Sequence, residues 1–302
     1  MDTVIRTSGL ERRYGSRRGI DGINLAIQQG EIFGFLGPNG AGKSTTIRVL
    51  LGFLKASAGE ARIFDLDCWS KSAVIKQRVG YVPGDVRLYP WLTLNKALQF
   101  LTRIRHTQLT QNGLELAERF QLEPDLPVRK MSRGNRQKLA LIAALAHRPD
   151  LIVMDEPTSG LDPLMQETLC DCLRETAQAG GTVFFSSHTL SEVETLCDRI
   201  AIVREGTVVV DEPLQSLKQR APRHVSLELP PDASDATFDW PTWLIPRQHF
   251  RGRYEFELQA TPQQFIRWAA EQPLADITIS PPSLEALFRG YYEATSTGKE
   301  ES

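Results

Sequence analysis

The sequence predicts an α/β domain with a largely parallel sheet over residues 1–220, a helical subdomain inserted at about 83–148, and a small α+β domain over 221–302. Three observations carry this. Short β-rich runs alternate with helical periodicity through the first two-thirds of the chain. Between about Pro83 and Arg148 the strand-like runs vanish. Near residue 220 the composition turns to prolines, acids and tryptophans, in "APRHVSLELPPDASDATFDWPTW".

In chain order, the strand candidates are "EIFGFL" (31–36), "LIVMD" (151–155), "TVFFSS" (182–187) and "RIAIV" (199–203). The last pairs with "TVVV" through a hairpin end at Arg204–Glu205–Gly206. In the insertion, Leu94, Ala97, Leu98, Leu101 and Ile104 fall at helical spacing, as do Leu139, Ile142, Ala143 and Ala146. Beyond residue 220, "HVSLEL" and "RYEFEL" alternate like half-buried strands, while "PQQFIRWAAEQ" and "PSLEALFRGYY" read as helices. Leu284, Leu287, Phe288 and Tyr291 form one apolar face of the second helix.

Composition narrows the function class. The net charge is −2 and no basic stripe stands out, which argues against a nucleic-acid partner. No apolar run approaches the ~18 residues of a membrane span; the longest runs from Leu139 to Ala146. The opening "MDTVIRTSGLERRYG" lacks the charged-then-apolar pattern of a signal peptide. Cys68, Cys170, Cys172 and Cys197 show no CxxC or metal-like spacing and read as reduced thiols in the cytosol.

"GPNGAGKST" (Gly37, Pro38, Asn39, Gly40, Ala41, Gly42, Lys43, Ser44, Thr45) fits G-x-x-x-x-G-K-[ST] between a strand and a helical run, the context a phosphate-binding loop requires. Its glycines let backbone N–H groups converge on phosphate oxygens, Lys43 neutralises the β- and γ-phosphates, and the Ser44 hydroxyl ligates Mg²⁺. "LIVMDE" drives a buried strand toward that loop and leaves Asp155 at its end for Mg²⁺, with Glu156 as general base for the attacking water. Seen alone, an Asp-Glu pair after a strand reads equally well as a helix cap. "MSRGNRQK" (Met131 to Lys138) places a hydroxyl, a glycine and cations before an apolar helix. That suits either an anion held at the helix N-terminus or an ordinary cap by Ser132 or Asn135.

Over roughly residues 3–220 these motifs, in this order, resemble the nucleotide-binding subunits of ATP-binding cassette (ABC) transporters: "RRYG", the phosphate loop, "MSRGNRQK", "LIVMDE", "SGLD" and "SSH". The resemblance implies a P-loop NTPase fold of the ABC ATPase type, with ATP and Mg²⁺ as cofactors. It implies adenine stacking by Tyr14, γ-phosphate sensing by His188, and communication across a dimer by Asp162. It also implies that Ser132 and Gly134 contact the ATP held by a partner subunit, while Arg133 and Asn135 depart from the L-S-G-G-Q-like pattern. The variant is similar to the "SKGMRQK"-like loops of bacterial exporter ATPases, and "ISPPSLEALF" resembles the tail of drug- and antibiotic-exporter ATPases.

The expected protein is therefore an ATPase subunit, cytoplasmic and peripheral on the inner face of the membrane. It forms a homodimer, or a heterodimer with a related subunit, and drives integral membrane permease subunits, with export favoured over import. The rival readings are a soluble ABC-type ATPase acting on ribosomes or nucleic acid, and a non-transport regulatory ATPase. In "GYVPGD", Gly84 stands where the family usually has Gln or Glu. Pro83–Gly84 suits the centre of a type II turn with φ > 0 at Gly84, with a backbone carbonyl or Asp85 reaching Mg²⁺ through water, or with Asp85 simply a solvated turn residue. Tyr89 and Trp91 either rim a permease-docking surface or pack inside the insertion.

Overall fold

The computed structural model describes residues 2–221, 223–230, 240–250 and 252–281. The chain divides into two compact units, Met1–Leu214 and Gln215–Ser302. The strands of the first unit are β1 (Thr3–Tyr14), β2 (Arg17–Gln28), β3 (Ile32–Leu36), β4 (Ala58–Ile63), β5 (Leu66–Asp67), β6 (Val79–Val82), β7 (Leu151–Asp155), β8 (Thr182–Ser187), β9 (Arg199–Arg204) and β10 (Thr207–Pro213). Its helices are α1 (Lys43–Leu50), α2 (Ser72–Gln77), α3 (Leu94–Arg105), α4 (Thr110–Arg119), α5 (Arg133–Leu145), α6 (Pro163–Gln178) and α7 (Leu190–Leu196).

One sheet runs β10-β9-β3-β8-β7-β6, parallel except for β10, which folds back on β9. Every residue of β3, β7 and β8 is buried. Strands covered on both faces need apolar residues at every position, which is why these segments read as unbroken hydrophobic runs. Their core is aromatic in part: Phe184 lies 5.8 Å from Phe33 and 5.5 Å from Phe35, centroid to centroid.

The second sheet, β2-β1-β4-β5, is antiparallel and was not picked out from the sequence. β1 and β2 shift register four times along their length, at Thr3/Ile5, Thr7/Leu10, Leu10/Arg12 and Arg12/Arg13. Each bulge moves the next side chain to the other face, so the period-2 pattern is broken even though Ile20, Ile23, Leu25 and Ile27 are all buried.

Between β6 and β7 the chain is helical: α3, α4, a 3-10 turn at Val128–Lys130, and α5. Leu94, Ala97 and Leu98 of α3 are buried, whereas Ile104 is exposed. The expected apolar face therefore ends early. At the helix end Arg105 instead donates to the carbonyls of Gln77 and Val79.

After α8 (Leu214–Arg220), the second unit contains β11 (Arg223–Glu228), β12 (Leu244–Phe250), β13 (Arg253–Leu258), α9 (Pro262–Ala269) and β14 (Asp276–Ile279). The sheet order is β12-β13-β11-β14, antiparallel throughout. Val225, Leu227, Phe256 and Phe265 form its core with Trp240, Trp243 and Trp268 packed on it. The helix expected over Leu284, Leu287, Phe288 and Tyr291 lies outside the described residues.

Candidate active site

The phosphate loop joins β3 to α1. Gly42 takes φ 112°, and a Cβ there would lie 2.9 Å from the Gly19 carbonyl oxygen, so conformation and space both demand glycine. No side chain caps α1, which leaves its first-turn N–H groups for an incoming anion. The Lys43 side chain is 5% exposed; its Nζ donates to the carbonyls of Gly37 (2.6 Å) and Pro38 (3.2 Å) and lies 3.6 Å from Glu156 Oε1. Burial lowers the pKa of Lys43, opposed by the charges of Glu156 and Asp155.

Glu156 is set by the end of β7. Asp155 pairs in register with Ser186 on β8, and Ser186 Oγ donates to Asp155 Oδ1 at 2.5 Å. The next residue turns sharply, Glu156 having φ 51°, and its N–H donates to the Ser186 carbonyl at 3.1 Å. The Glu156 carboxylate thus stands between Lys43 and His188, whose Nδ1 is 3.2 Å from Oε1. A cavity of about 360 Å³ opens over the loop, lined by Tyr14, Pro38, Asn39, Gly40, Gly42, Lys43, Ser44, Thr45 and Glu156, together with Arg17, Arg18, Gly19 and Arg48. That is within the usual range for a small-molecule site. The Tyr14 ring lies against Gly19, with the Arg12 guanidinium 5.1 Å from its centroid.

Comparisons with known proteins identify the family. The family model described as ABC transporter matches residues 20–159. The bacitracin transport ATP-binding protein of Bacillus licheniformis is 36% identical over 233 residues, 76% of each chain. The linearmycin resistance ATP-binding protein of Bacillus subtilis is 33% identical over 211 residues, 68% of each chain. The chain belongs to the ABC transporter ATP-binding subunits. A solved ATP-binding subunit of an ABC transporter superposes with a TM-score of 0.68 at 26% identity, covering 72% of this chain and 93% of the other. As an ABC ATPase, the protein binds and hydrolyses ATP. Subunits of this family form dimeric cassettes and work with membrane permease components. Among the described residues no helix is long and apolar enough to cross a membrane.

Within this ABC subunit the site residues expected from sequence fall in two groups. Tyr14, most of the phosphate loop and Glu156 line one cavity, His188 meets the Glu156 carboxylate, and Asp155 lies near enough for its charge to act on Lys43. Ser132, Gly134 and Asp162 do not line it. Ser132 caps α5, its Oγ accepting from the Asn135 N–H at 3.1 Å, and Asp162 caps α6 by accepting from the Met165 N–H at 3.0 Å.

Gly84 requires a correction. It does not have a positive φ, so Pro83–Gly84 is not a type II turn. A Cβ on Gly84 would lie 3.2 Å from the Asp155 carbonyl oxygen and 3.6 Å from its carboxylate; closeness to Asp155, not left-handed backbone, is what favours glycine here. Asp85 is turned to the surface and bonds Arg87 at 2.7 Å. Sequence reasoning missed Ser186, which holds Asp155; Glu192, which accepts from both Thr158 and Ser187; and Arg17, Arg18 and Arg48. The Arg17–Arg18 pair beside "RRYG" was the available signal. Ser186 opens the "SSH" motif, but its contact with Asp155 arises from β7–β8 pairing, and nothing local marks Glu192, whose role arises from α7 packing.

Proposed function

We propose that two copies of this chain close head to tail around ATP and drive a separate membrane permease that exports an antibiotic-like compound. The observation that carries the hydrolytic half is the meeting of Lys43, Glu156 and His188 at the phosphate loop. Lys43 leaves its carbonyl partners to meet the β- and γ-phosphates. Glu156 takes a proton from the attacking water on its carboxylate, and His188 beside it contacts the γ-phosphate. Tyr14 offers its half-exposed ring to adenine.

The donor set suits Mg²⁺, a hard cation that prefers oxygen: the Ser44 hydroxyl and the Asp155 carboxylate would hold it together with phosphate and water oxygens. No cluster of three or more His, Cys, Asp or Glu fit to cage a metal unaided occurs among the described residues. Mg²⁺ so held would supply charge neutralisation on the phosphates. The proposal that Ser132 and Gly134 serve a second subunit's ATP, with Asp162 near that interface, is supported by their position outside this chain's own cavity.

The permease half is supported by an apolar groove of about 740 Å³ between the helical segment and the sheet, lined among others by Phe53, Tyr81, Tyr89, Trp91, Phe100 and Leu139. Tyr89 and Trp91 stack at 5.6 Å and remain 69% and 57% exposed, an arrangement suited to a short amphipathic helix on the cytoplasmic face of a permease. Export rather than import is supported by the bacitracin-transport and linearmycin-resistance relatives. Glu156→Gln tests the reading: with Mg-ATP it should elute as a dimer and turn over about 10²-fold more slowly than the parent. Monomer only, with near-parental hydrolysis, refutes it.

A further inference from the structure

The loop at Ser132–Asn135 is bound within its own chain to the segment that follows the catalytic carboxylate. Arg133 Nη2 donates to Ser159 Oγ at 2.6 Å. The aliphatic stem of Arg133 lies along Gly160, where a Cβ would stand 3.3 Å from Arg133 Cγ. A Cβ on Gly134 would come within 2.7 Å of the Gly160 carbonyl oxygen, so those two backbones are already as close as they can be. One turn further into α5, Gln137, 4% exposed, donates to the Pro157 carbonyl at 2.8 Å.

The segment so held continues toward the catalytic groups. Thr158 Oγ1 donates to Glu192 Oε1 at 2.6 Å, and Ser187 Oγ donates to Glu192 Oε2 at 2.6 Å. Ser187 Oγ also accepts from the Thr189 N–H at 2.8 Å. Ser187 and Thr189 flank His188, which contacts Glu156. Side-chain contacts, joined through the backbone at Thr158–Ser159 and Ser187–His188, therefore lead from Arg133 to the Glu156 carboxylate.

We infer that Arg133 is a positioning residue: through Ser159 it ties the loop that serves the partner subunit's ATP to the catalytic carboxylate and histidine of its own subunit. The inference rests on the ATP-bridged dimer proposed above. Arg133 occupies the position where the L-S-G-G-Q-like pattern has glycine, and glycine has no side chain with which to reach Ser159. When a second nucleotide settles against Ser132 and Gly134, any shift of this turn is carried by the guanidinium into residues 157–160. From there it passes through Glu192 to the His188 loop, a contiguous network rather than mere proximity.

The test is a double-mutant cycle on the full-length chain, with ATPase measured across ATP concentration. Arg133→Ala and Ser159→Ala should each lower kcat about 5-fold, the worth of one hydrogen bond made in the turnover-competent state. Each should bring the Hill coefficient toward unity while leaving nucleotide affinity and Tm at parental values. The double variant should be no slower than either single one. Arg133→Lys should retain most of the activity, because only one guanidinium nitrogen is used. If the two losses multiply, or if Ser159→Ala leaves kcat and cooperativity intact, the latch is refuted. Both variants are also placed in the Glu156→Gln background and run with Mg-ATP on size exclusion, where dimers should persist. Dimers with multiplying losses overturn the latch alone, whereas no dimer even for Glu156→Gln by itself overturns the ATP-bridged reading and this inference with it.

Discussion

Ser186→Ala removes the hydroxyl that donates to Asp155 Oδ1, between groups that are 0% and 8% exposed. A carboxylate oxygen in that setting has little water to replace the lost donor. The loss of a hydrogen bond to a charged group is worth about 2 kcal/mol, which for a unit of this size corresponds to a fall in Tm of about 4–8 °C. The freed Asp155 carboxylate is also no longer aimed, so the Mg²⁺ concentration for half-maximal ATPase should rise and kcat should fall about 10-fold, or about 1.4 kcal/mol. Differential scanning calorimetry without nucleotide and a Mg²⁺ titration at fixed ATP read the two effects separately. In an Asp155→Asn background the further Ser186→Ala change should add little, since the shared contact is already weakened. A Tm within about 1 °C of the parent, together with an unchanged Mg²⁺ dependence, would refute the claim that Ser186 orients Asp155.

Gly84→Ala should lower stability by under about 1 kcal/mol, because its φ is ordinary and its nearest neighbour is 3.2 Å away. Gly42→Ala, at φ 112° and 2.9 Å from a carbonyl oxygen, should abolish nucleotide binding; isothermal titration that reverses this order contradicts the packing argument. Trp91→Ala should leave Tm within about 2 °C, as expected for an exposed side chain, yet remove stimulation of ATPase by the permease; a large loss of stability in the isolated subunit would place the ring inside the insertion instead. His147 is held at a pKa of about 4, below its ordinary 6.5, by burial and then by the Arg105 charge. The unfolded chain therefore takes up this proton below pH 6.5 while the folded chain does not until about pH 4. Stability should fall across that window by up to about 3 kcal/mol. Chemical denaturation at pH 7 and pH 5 should show a smaller difference for His147→Leu than for the parent; an equal difference would assign the slope to other groups.

The sequence by itself determined the chemistry-bearing core of this protein. β3, β7 and β8 were legible because strands buried on both faces must be apolar throughout, and the phosphate loop was legible because its glycines and lysine are required by phosphate at fixed spacing. Lys43, Asp155 and Glu156 could be named because each sits at the end of such a strand or in the loop itself, whereas His188 was named only through the resemblance of the ordered motifs to the ABC family. Tertiary structure decided what no local pattern encodes. The bulged pairing of β1 with β2 scrambles alternation, so the sheet that carries Tyr14 could not be read from period alone. The meaning of Gly84 depended on Asp155, which is distant in sequence and was brought beside it by the pairing of β6 with β7. Ser186, Arg133 and Glu192 acquire their roles from partners 31, 26 and 34 residues away, and such contacts exist only once the strands have stacked and α5 and α7 have closed on the loops between them.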